Sequence, residues 1–221
     1  MTHTYAKSIP VWGGLTTMLS SKFERFHWLL VLVILVFGTS CSKHPIPANP
    51  HIPTPSETIV LDLKNMEIPE WGKIEIIDFN GDRFPEFIFE IKPIGDYINK
   101  QDKFKYNVKT TLLTELPING NEEVPYFDYG STIPLSKFGD YEWWAGAEIT
   151  IMQKVVSVNN GTLWEGNWIN VQKKYLPFKV LRPDGVYAGW LEISTSTQTE
   201  KAIIHRAGIS KLANKLVKAG I

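Results

Sequence analysis

Apolar and polar residues alternate along much of the chain after Thr58, with a period close to two. The alternation is clearest over residues 59–64, 86–91 and 187–193. Successive side chains of a β-strand point to opposite faces of the sheet, so this period is typical of strands that bury one face. The pattern therefore predicts a half-buried strand in each of these stretches.

Two turn sequences, Asn160-Gly161 and Pro183-Asp184-Gly185, lie between strand-like segments. The flanking segments are 154–158 and 162–164 for the first turn, and 178–181 and 186–193 for the second. Glycine and asparagine tolerate the positive φ that tight hairpin turns require. Short strands with frequent turns, without helices alternating between them, predict a mainly β fold, specifically an antiparallel β-sandwich.

Helical spacing occurs near the C-terminal end of the chain. Ile209, Leu212 and Leu216 are three and four residues apart, as on one face of a helix. This spacing predicts a short C-terminal helix within residues 209–218, packed on the sheet.

The N-terminal part of the chain has a different pattern. Lys22 and Arg25 precede an uninterrupted apolar run of ten residues, 28–37, which the small residues 38–40 and then Cys41 follow. A positive flank, a short apolar core and a small-residue exit are typical of a secretory signal. The run is shorter than the roughly 20 apolar residues that span a bilayer, so a permanent transmembrane helix is the less favoured alternative.

The end of this signal, Thr39-Ser40-Cys41, resembles the lipobox of bacterial lipoproteins, although Gly38 stands where that family usually has a branched apolar residue. The resemblance implies that Cys41 is lipidated and becomes the new N-terminus. Several acyl chains on one residue are enough for stable membrane anchoring. In that family a non-acidic residue after the cysteine favours the outer membrane, so the resemblance implies this location for a chain with Ser42 at that place. An incidental thiol is the disfavoured alternative, because Cys41 is the only cysteine of the chain.

The segment that follows is predicted to be a tether. Residues 42–57 contain five prolines and almost no periodic apolar residues, which favours an extended spacer with a reach of about 50 Å. The predicted organisation is a signal peptide over 1–40, a lipidated cysteine and tether over 41–57, and a single domain over 58–221. A start at Met18 would give a signal of ordinary length, in which case residues 1–17 reflect a misplaced start.

Charge and cysteine content narrow the partners of this domain. Residues 1–40 hold three of the 23 basic residues and one of the 23 acidic residues, which leaves the rest with a net charge of about −2. Binding to phosphate backbones requires a basic surface, so a nucleic-acid partner is disfavoured. With a single cysteine, the domain has no internal disulfide and depends on burial for stability.

Three short motifs occur in order along the predicted domain: the Asp-x-Asn-x-Asp turn at 78–82, the aromatic-x-Gly-Trp sequence within 187–191, and the closing Ala219-Gly220. Together they resemble a group of small exported bacterial β-sandwich proteins of unassigned function. The resemblance covers residues 77–220 loosely. It implies the fold and export, and no activity.

The turn at 78–86 is a candidate calcium site. Oxygen atoms at loop positions 1, 3, 5, 7 and 9 suit a cation that takes six to eight oxygen ligands. These ligands would be Asp78, Asn80, Asp82, the carbonyl of Phe84, and Glu86. The loop resembles calcium loops between the strands of extracellular repeats, but Arg83 and Phe89 stand where the helix-loop-helix type has glycine and glutamate. A structural Ca²⁺ is therefore one hypothesis, and a plain polar turn stabilised by its own side chains is the alternative.

Aromatic residues interleaved with carboxylates form a second candidate site, within residues 126–144. Aromatic faces can cover the CH groups of a sugar while acids accept its hydroxyl hydrogens. The predicted ligand-binding residues are Tyr126, Tyr129, Tyr141, Trp143 and Trp144. Packing in the sandwich is the alternative, because aromatic residues are also favoured in strands and cores.

Residues for catalysis are few in the predicted domain. Its only histidine is His205, and no Gly-x-Ser-x-Gly motif is present, so we interpret His205 as a strand residue with satisfied hydrogen bonds. We predict no catalytic residues in a membrane-anchored lipoprotein of the cell envelope that binds a glycan or an envelope protein. A carbohydrate-active hydrolase that uses two of Glu142, Glu148 and Glu165 is the alternative.

Overall fold

The computed structural model describes residues 57–79, 81 and 83–221. In these residues all regular structure is β-strand, which confirms the predicted mainly β class. The strands are β1 (Thr58–Glu67), β2 (Ile74–Ile77), β3 (Phe87–Asp96), β4 (Gln101–Thr110), β5 (Thr114–Ile118), β6 (Thr132–Ile133), β7 (Glu142–Ala145), β8 (Glu148–Ser157), β9 (Gly161–Glu165), β10 (Lys174–Arg182), β11 (Gly185–Ser196), β12 (Lys201–Ser210) and β13 (Val217–Lys218).

These strands form two large sheets and a small one. The six-stranded sheet has the order β1-β12-β11-β10-β5-β7, the five-stranded sheet has the order β2-β3-β4-β8-β9, and β13 pairs with β6. Neighbouring strands are antiparallel throughout. The two large sheets share one hydrophobic core between them, so the predicted antiparallel β-sandwich is confirmed.

Aromatic rings from both sheets fill this shared core. Phe87 of the five-stranded sheet and Phe178 of the six-stranded sheet are fully buried, and their ring centroids lie 5.0 Å apart in an edge-to-face arrangement. Phe79, just after β2, stacks on Phe178 at 5.4 Å. Such pairs contribute about 0.5–1.5 kcal/mol beyond the area they bury.

Both predicted hairpins are present. Ser157 pairs with Gly161 across the first turn, where Gly161 has a φ of 73°. Arg182 pairs with Gly185 across the second turn. Turn chemistry close in sequence therefore predicted strand pairing correctly at both places.

The prediction of half-buried strands needs correction at β11. Leu191 and Ile193 face the shared core, but Ala188 and Trp190 on the opposite face are also fully buried. That face packs in a second cluster with residues from β6, β10 and β13. Alternation alone cannot distinguish a strand that is covered on both faces from a strand that is covered on one face.

β1 differs from its prediction in the opposite direction. Ile59 and Leu61 are 55% and 40% exposed, and Leu63 packs only partly against the core. β1 is an edge strand of the six-stranded sheet, so only one of its sides is flanked by a neighbouring strand. The strand was predicted correctly, but not its burial.

The predicted C-terminal helix is wrong. Ile209 belongs to β12, and the segment after Ser210 forms turns before β13. The Ser210 hydroxyl donates to the Leu212 carbonyl and accepts from the Leu212 N–H, which ends the strand in a turn instead of a helix. Leu212 and Leu216 are about half exposed, so their helical spacing does not reflect a buried face.

The predicted signal peptide, Cys41 and the tether up to residue 56 lie outside the described residues. Within the described part of the chain, no helix is long and apolar enough to cross a membrane.

Candidate functional site

The outer face of the five-stranded sheet carries a row of polar side chains from four strands. Register places Asn107 of β4 opposite Thr150 of β8, and Lys105 opposite Gln153. Gln153 is in turn opposite Glu165 of β9. Directly opposed residues point to the same face, so these side chains lie together on one surface.

Glu148, at the start of β8, is held in this surface by fixed partners. Its Oε1 accepts a hydrogen bond from Asn107 Nδ2 at 2.9 Å and lies 3.2 Å from Lys92 Nζ. Lys109 Nζ lies 3.5 Å from its other oxygen. Asn107 is 1% exposed, and its own Oδ1 accepts from the Thr150 hydroxyl at 2.9 Å. The buried amide therefore fixes the orientation of the carboxylate.

The same partners set the charge of Glu148. Partial burial acts to raise its pKa, but the hydrogen bond from Lys92 and the charge of Lys109 outweigh burial and hold the pKa below its ordinary value. Glu148 is thus an ionised acceptor at neutral pH.

A tight loop after β5 extends this surface. Asn119 Oδ1 accepts from the N–H groups of Asn121 at 3.0 Å and Glu123 at 2.9 Å. Asn119 Nδ2 also donates to Glu123 Oε2 at 3.2 Å. Glu122 adopts a φ of 61° at the tip. These bonds present the carboxylates of Glu122 and Glu123 beside Glu148.

Two neighbouring cavities share lining residues at this place, and we refer to them together as the Glu148 groove. One cavity of about 330 Å³ lies over the outer sheet face, and the other, of about 370 Å³, lies beside β7. Both are lined by Glu122 and Glu148. The lining residues that bear on ligand binding are Lys105, Asn107, Glu122, Glu123, Trp144, Glu148, Gln153 and Glu165.

Trp144 is the predicted aromatic residue that lines this groove. It lies on β7, opposite the buried Leu116 of β5, and is 58% exposed. A ring at the edge of the six-stranded sheet has no neighbouring strand to cover it. Its face is therefore available beside the carboxylates.

The other predicted aromatic residues are not among the groove lining. Tyr126 packs edge-on against Trp168 at 5.7 Å. Tyr129 lies 6.3 Å from Tyr175, centroid to centroid. Tyr126 and Tyr129 are nevertheless 44% and 68% exposed, so each packs against a neighbour with one side only.

Trp143 and Tyr141 also have local partners. Trp143 donates its Nε1–H to the Ser136 carbonyl at 3.1 Å, and the Lys179 ammonium lies 4.4 Å from its ring. Partial burial and the nearby carboxylates of Asp140 and Glu123 raise the pKa of Tyr141. Tyr141 thus lies near the groove loop without lining the groove.

Of the three glutamates in the hydrolase alternative, two line the Glu148 groove and one does not. Glu148 and Glu165 line the same cavity, and Glu165 Oε2 accepts from Gln153 Nε2 at 2.5 Å. Glu142 forms an ion pair with Lys137 and is not among the groove lining. The structure thus brings two of the three carboxylates together.

The 78–86 loop has the hydrogen bonds of a polar turn where it is described. The Asp78 carboxylate accepts from Gly81 N–H at 2.7 Å and from Arg83 N–H at 2.8 Å. The buried Glu86 carboxylate accepts from Phe79 N–H at 2.7 Å. Asn80 and Asp82, two of the predicted calcium ligands, lie outside the described residues. The described residues contain no cluster of three or more His, Cys, Asp or Glu side chains arranged to hold a metal.

Sequence reasoning missed Lys105, Asn107, Glu122 and Glu123. β4 carries polar residues at every second position from 103 to 109, and this pattern predicts one outward polar face. It does not predict which loops and strands border that face.

The groove thus combines an exposed tryptophan with fixed acceptors, and its chemistry suits a hydroxyl-rich ligand. The chain matches no protein-family model, and no curated protein or solved structure is significantly similar to it.

Proposed function

We propose that this chain is a lipoprotein of the cell envelope, anchored in the outer membrane through Cys41, whose β-sandwich binds carbohydrate in the Glu148 groove without catalysis. The observation that carries the carbohydrate part is the position of Trp144, more than half exposed beside an ionised and oriented Glu148. The anchor rests on the lipobox resemblance and on the position of the single cysteine.

The two kinds of group would act on different parts of a sugar. The face of Trp144 would cover the CH groups of a ring, which removes apolar surface from water. Glu148, Glu122 and Glu165 would accept hydrogen bonds from hydroxyls, and charged acceptors strengthen such bonds. Asn107 has both ends of its amide engaged and would position Glu148 instead of contacting the ligand.

Replacing Trp144 by alanine is expected to weaken glycan binding at least tenfold, because the stacking surface is lost while the fold keeps its core. A tenfold increase in Kd corresponds to a loss of about 1.4 kcal/mol of binding free energy. Binding would be screened on an array of neutral, acidic and amino sugars and then measured by calorimetry on the best ligand. Trp71→Ala is the matched control, since Trp71 is 66% exposed and is not among the groove lining.

Glu148→Gln tests the polar half of the groove. Loss of binding in both Trp144→Ala and Glu148→Gln, with normal binding in Trp71→Ala, supports the proposal. Equal affinity in all of these variants would exclude the groove as the site.

The hydrolase alternative has one favourable observation, since Glu148 and Glu165 line the same cavity. A glycosidase pair needs one carboxylic acid that stays protonated, usually through a raised pKa. The lowered pKa of Glu148 makes it unsuitable as that acid. Sugar release that is lost in Glu165→Gln while binding persists would favour hydrolysis over binding alone.

Replacing Cys41 by serine is expected to leave an unlipidated, uncleaved precursor. A serine hydroxyl cannot take the thioether-linked lipid, so the acyl chains that would hold the mature protein at the bilayer are missing. Labelling with radioactive palmitate and the size of the protein on a gel measure the change, with Ser40→Ala as the control that keeps a small residue before the cysteine. Continued palmitate labelling of Cys41→Ser would contradict the anchor.

We also propose that the 78–86 loop binds a structural Ca²⁺. Millimolar calcium is then expected to raise the thermal midpoint by several degrees over the midpoint in chelator. A ligand that binds only the folded state adds about 2.7 kcal/mol at a hundredfold excess over its Kd, and each kcal/mol shifts the midpoint by about 2–4 °C in a chain of this size. Asp82→Ala should abolish the shift, whereas Asp102→Ala, in β4, should retain it. An unchanged midpoint would reduce the loop to a turn.

A further inference from the structure

His205 lies where two irregularities of the six-stranded sheet meet. Glu192 pairs with Arg206, whereas Ile193 pairs with Ile204, so His205 is an extra residue on β12. On the other side of β12, residues 63–65 of β1 bulge out of register opposite the same histidine. Lys64 and Asn65 have φ values of 53° and 56° there. Bulges redirect side chains and are frequent beside active sites.

The two bulges bring three polar side chains from three strands into one chain of hydrogen bonds. His205 Nε2 lies 2.8 Å from the Ser194 hydroxyl oxygen, and His205 Nδ1 lies 2.6 Å from Asn65 Oδ1. Ser194 also accepts a hydrogen bond from the N–H of Lys173 at 2.9 Å. The arrangement is therefore serine, histidine and an amide carbonyl in series.

These partners determine which nitrogen carries the proton. Asn65 Oδ1 can only accept, so Nδ1 of the neutral ring must donate to it. Nε2 then has a free lone pair directed at the Ser194 hydroxyl. Since Ser194 already accepts from Lys173, its own proton is available to Nε2. This is the tautomer that a general base requires.

The surroundings keep the ring neutral. Partial burial lowers the pKa of His205 below its ordinary value of 6.5, and the positive charges of Lys173 and Arg206 lower it further. Glu192 acts in the opposite direction, but Arg206 pairs with its carboxylate at 2.6 Å. At pH 7 the imidazole is thus in the form that can accept a proton.

We propose that Ser194 is a nucleophile activated by His205, with Asn65 as a positioning residue, and that this site hydrolyses small carboxylic esters. It lies apart from the Glu148 groove and does not depend on the function proposed for that groove. Ser194 is only 6% exposed, so we restrict the proposed substrates to esters of small acyl groups such as acetyl.

The reaction balances with ester and water alone. The Ser194 oxygen would bond to the carbonyl carbon as its proton moves to Nε2, and the alcohol would leave with that proton. Water would then add to the acyl-serine, giving its proton to Nε2, and the acid would leave as Ser194 regains a proton. The Lys173 N–H, which donates to the Ser194 hydroxyl oxygen at 2.9 Å, would hold that oxygen in place as its proton moves to Nε2.

The test is labelling of the full chain with a fluorophosphonate probe, which bonds to a serine oxygen and releases fluoride. We expect one adduct per chain on the peptide containing Ser194, and slow hydrolysis of p-nitrophenyl acetate. Both should disappear in Ser194→Ala and fall by about 10²–10⁴-fold in His205→Gln. Ser210→Ala is the matched control, because Ser210 is a buried serine bonded within its own turn.

The pH profile separates this role from a structural one. In the wild-type protein, the labelling rate should rise with pH through the lowered pKa of His205 and stay constant above it. In Asn65→Asp, a carboxylate beside Nδ1 should move that midpoint to higher pH. Absence of an adduct on Ser194 in the folded wild-type protein would overturn the proposal. So would a labelling rate that His205→Gln leaves unchanged in a protein with native circular dichroism.

Discussion

The variant Gly208→Val is expected to lose about 3 kcal/mol or more of its free energy of unfolding. A Cβ atom on Gly208 would lie 2.3 Å from Cε2 and 2.7 Å from Nε1 of Trp190. Trp190 is fully buried in the second cluster and packs edge-on against Tyr175 at 5.4 Å, so its ring has no free space to enter. Inserting side-chain atoms into a packed core costs about 1–3 kcal/mol, and more when the neighbours cannot move. Urea unfolding followed by tryptophan fluorescence measures the loss.

Gly95→Val is the matched control for this change. Gly95 lies on β3, and the nearest atom to an added Cβ is Oδ1 of Asp102 at 3.5 Å, an ordinary contact distance. A glycine in a strand gains β propensity when it is replaced, so this variant should be as stable as the wild type or slightly more stable. Equal unfolding midpoints for Gly208→Val and Gly95→Val would show that the second cluster is not tightly packed around Trp190.

Replacing Arg206 by methionine is expected to destabilise the domain by about 3–5 kcal/mol at pH 7. Glu192 is 3% exposed, and both Nε and Nη2 of Arg206 lie 2.6 Å from its Oε2. Methionine keeps an apolar stem near the Trp190 ring, above which the guanidinium lies at 5.5 Å. The main effect is thus an uncompensated carboxylate inside the protein, measured by chemical unfolding.

The double variant Glu192→Gln/Arg206→Met should recover much of this stability, because it removes the buried charge together with its partner. Lys201→Met is the control for losing an exposed pair. Lys201 and Glu67 are 2.8 Å apart, and their side chains are about half exposed, so water already screens both charges. Lys201→Met should therefore lower the free energy of unfolding by no more than about 1 kcal/mol. Similar losses in Arg206→Met and Lys201→Met would mean that burial of Glu192 contributes little.

Local pattern was sufficient to predict the strands and hairpins. The alternation over 187–193 and the turn Pro183-Asp184-Gly185 depend only on residues that are close in sequence, because both arise from backbone geometry. The antiparallel class follows from the same signals. Such information is present in the sequence because it does not depend on which strands later become neighbours.

Burial was not predictable in the same way. β1 alternates as clearly as β11, yet the edge position of β1 exposes Ile59, while the second cluster covers Trp190 on the outer face of β11. The spacing of Leu212 and Leu216 suggested a helix, but the hydrogen bonds of Ser210 and the pairing of β13 with β6 decide that segment. The order of strands in the sheets determines which residues are buried and how the C-terminal segment folds. Local periodicity carries no information about that order.

By itself, the sequence determined the strand content, the antiparallel hairpins and an aromatic residue, Trp144, that proved to line a groove. Only the tertiary structure decided that Glu148 and Glu165 share a cavity, and that Asn65, Ser194 and His205 form one hydrogen-bonded series. The physical reason is distance along the chain. Asn65 and His205 are 140 residues apart, and only the pairing of β1 with β12 and the coincidence of two bulges bring them within 2.6 Å.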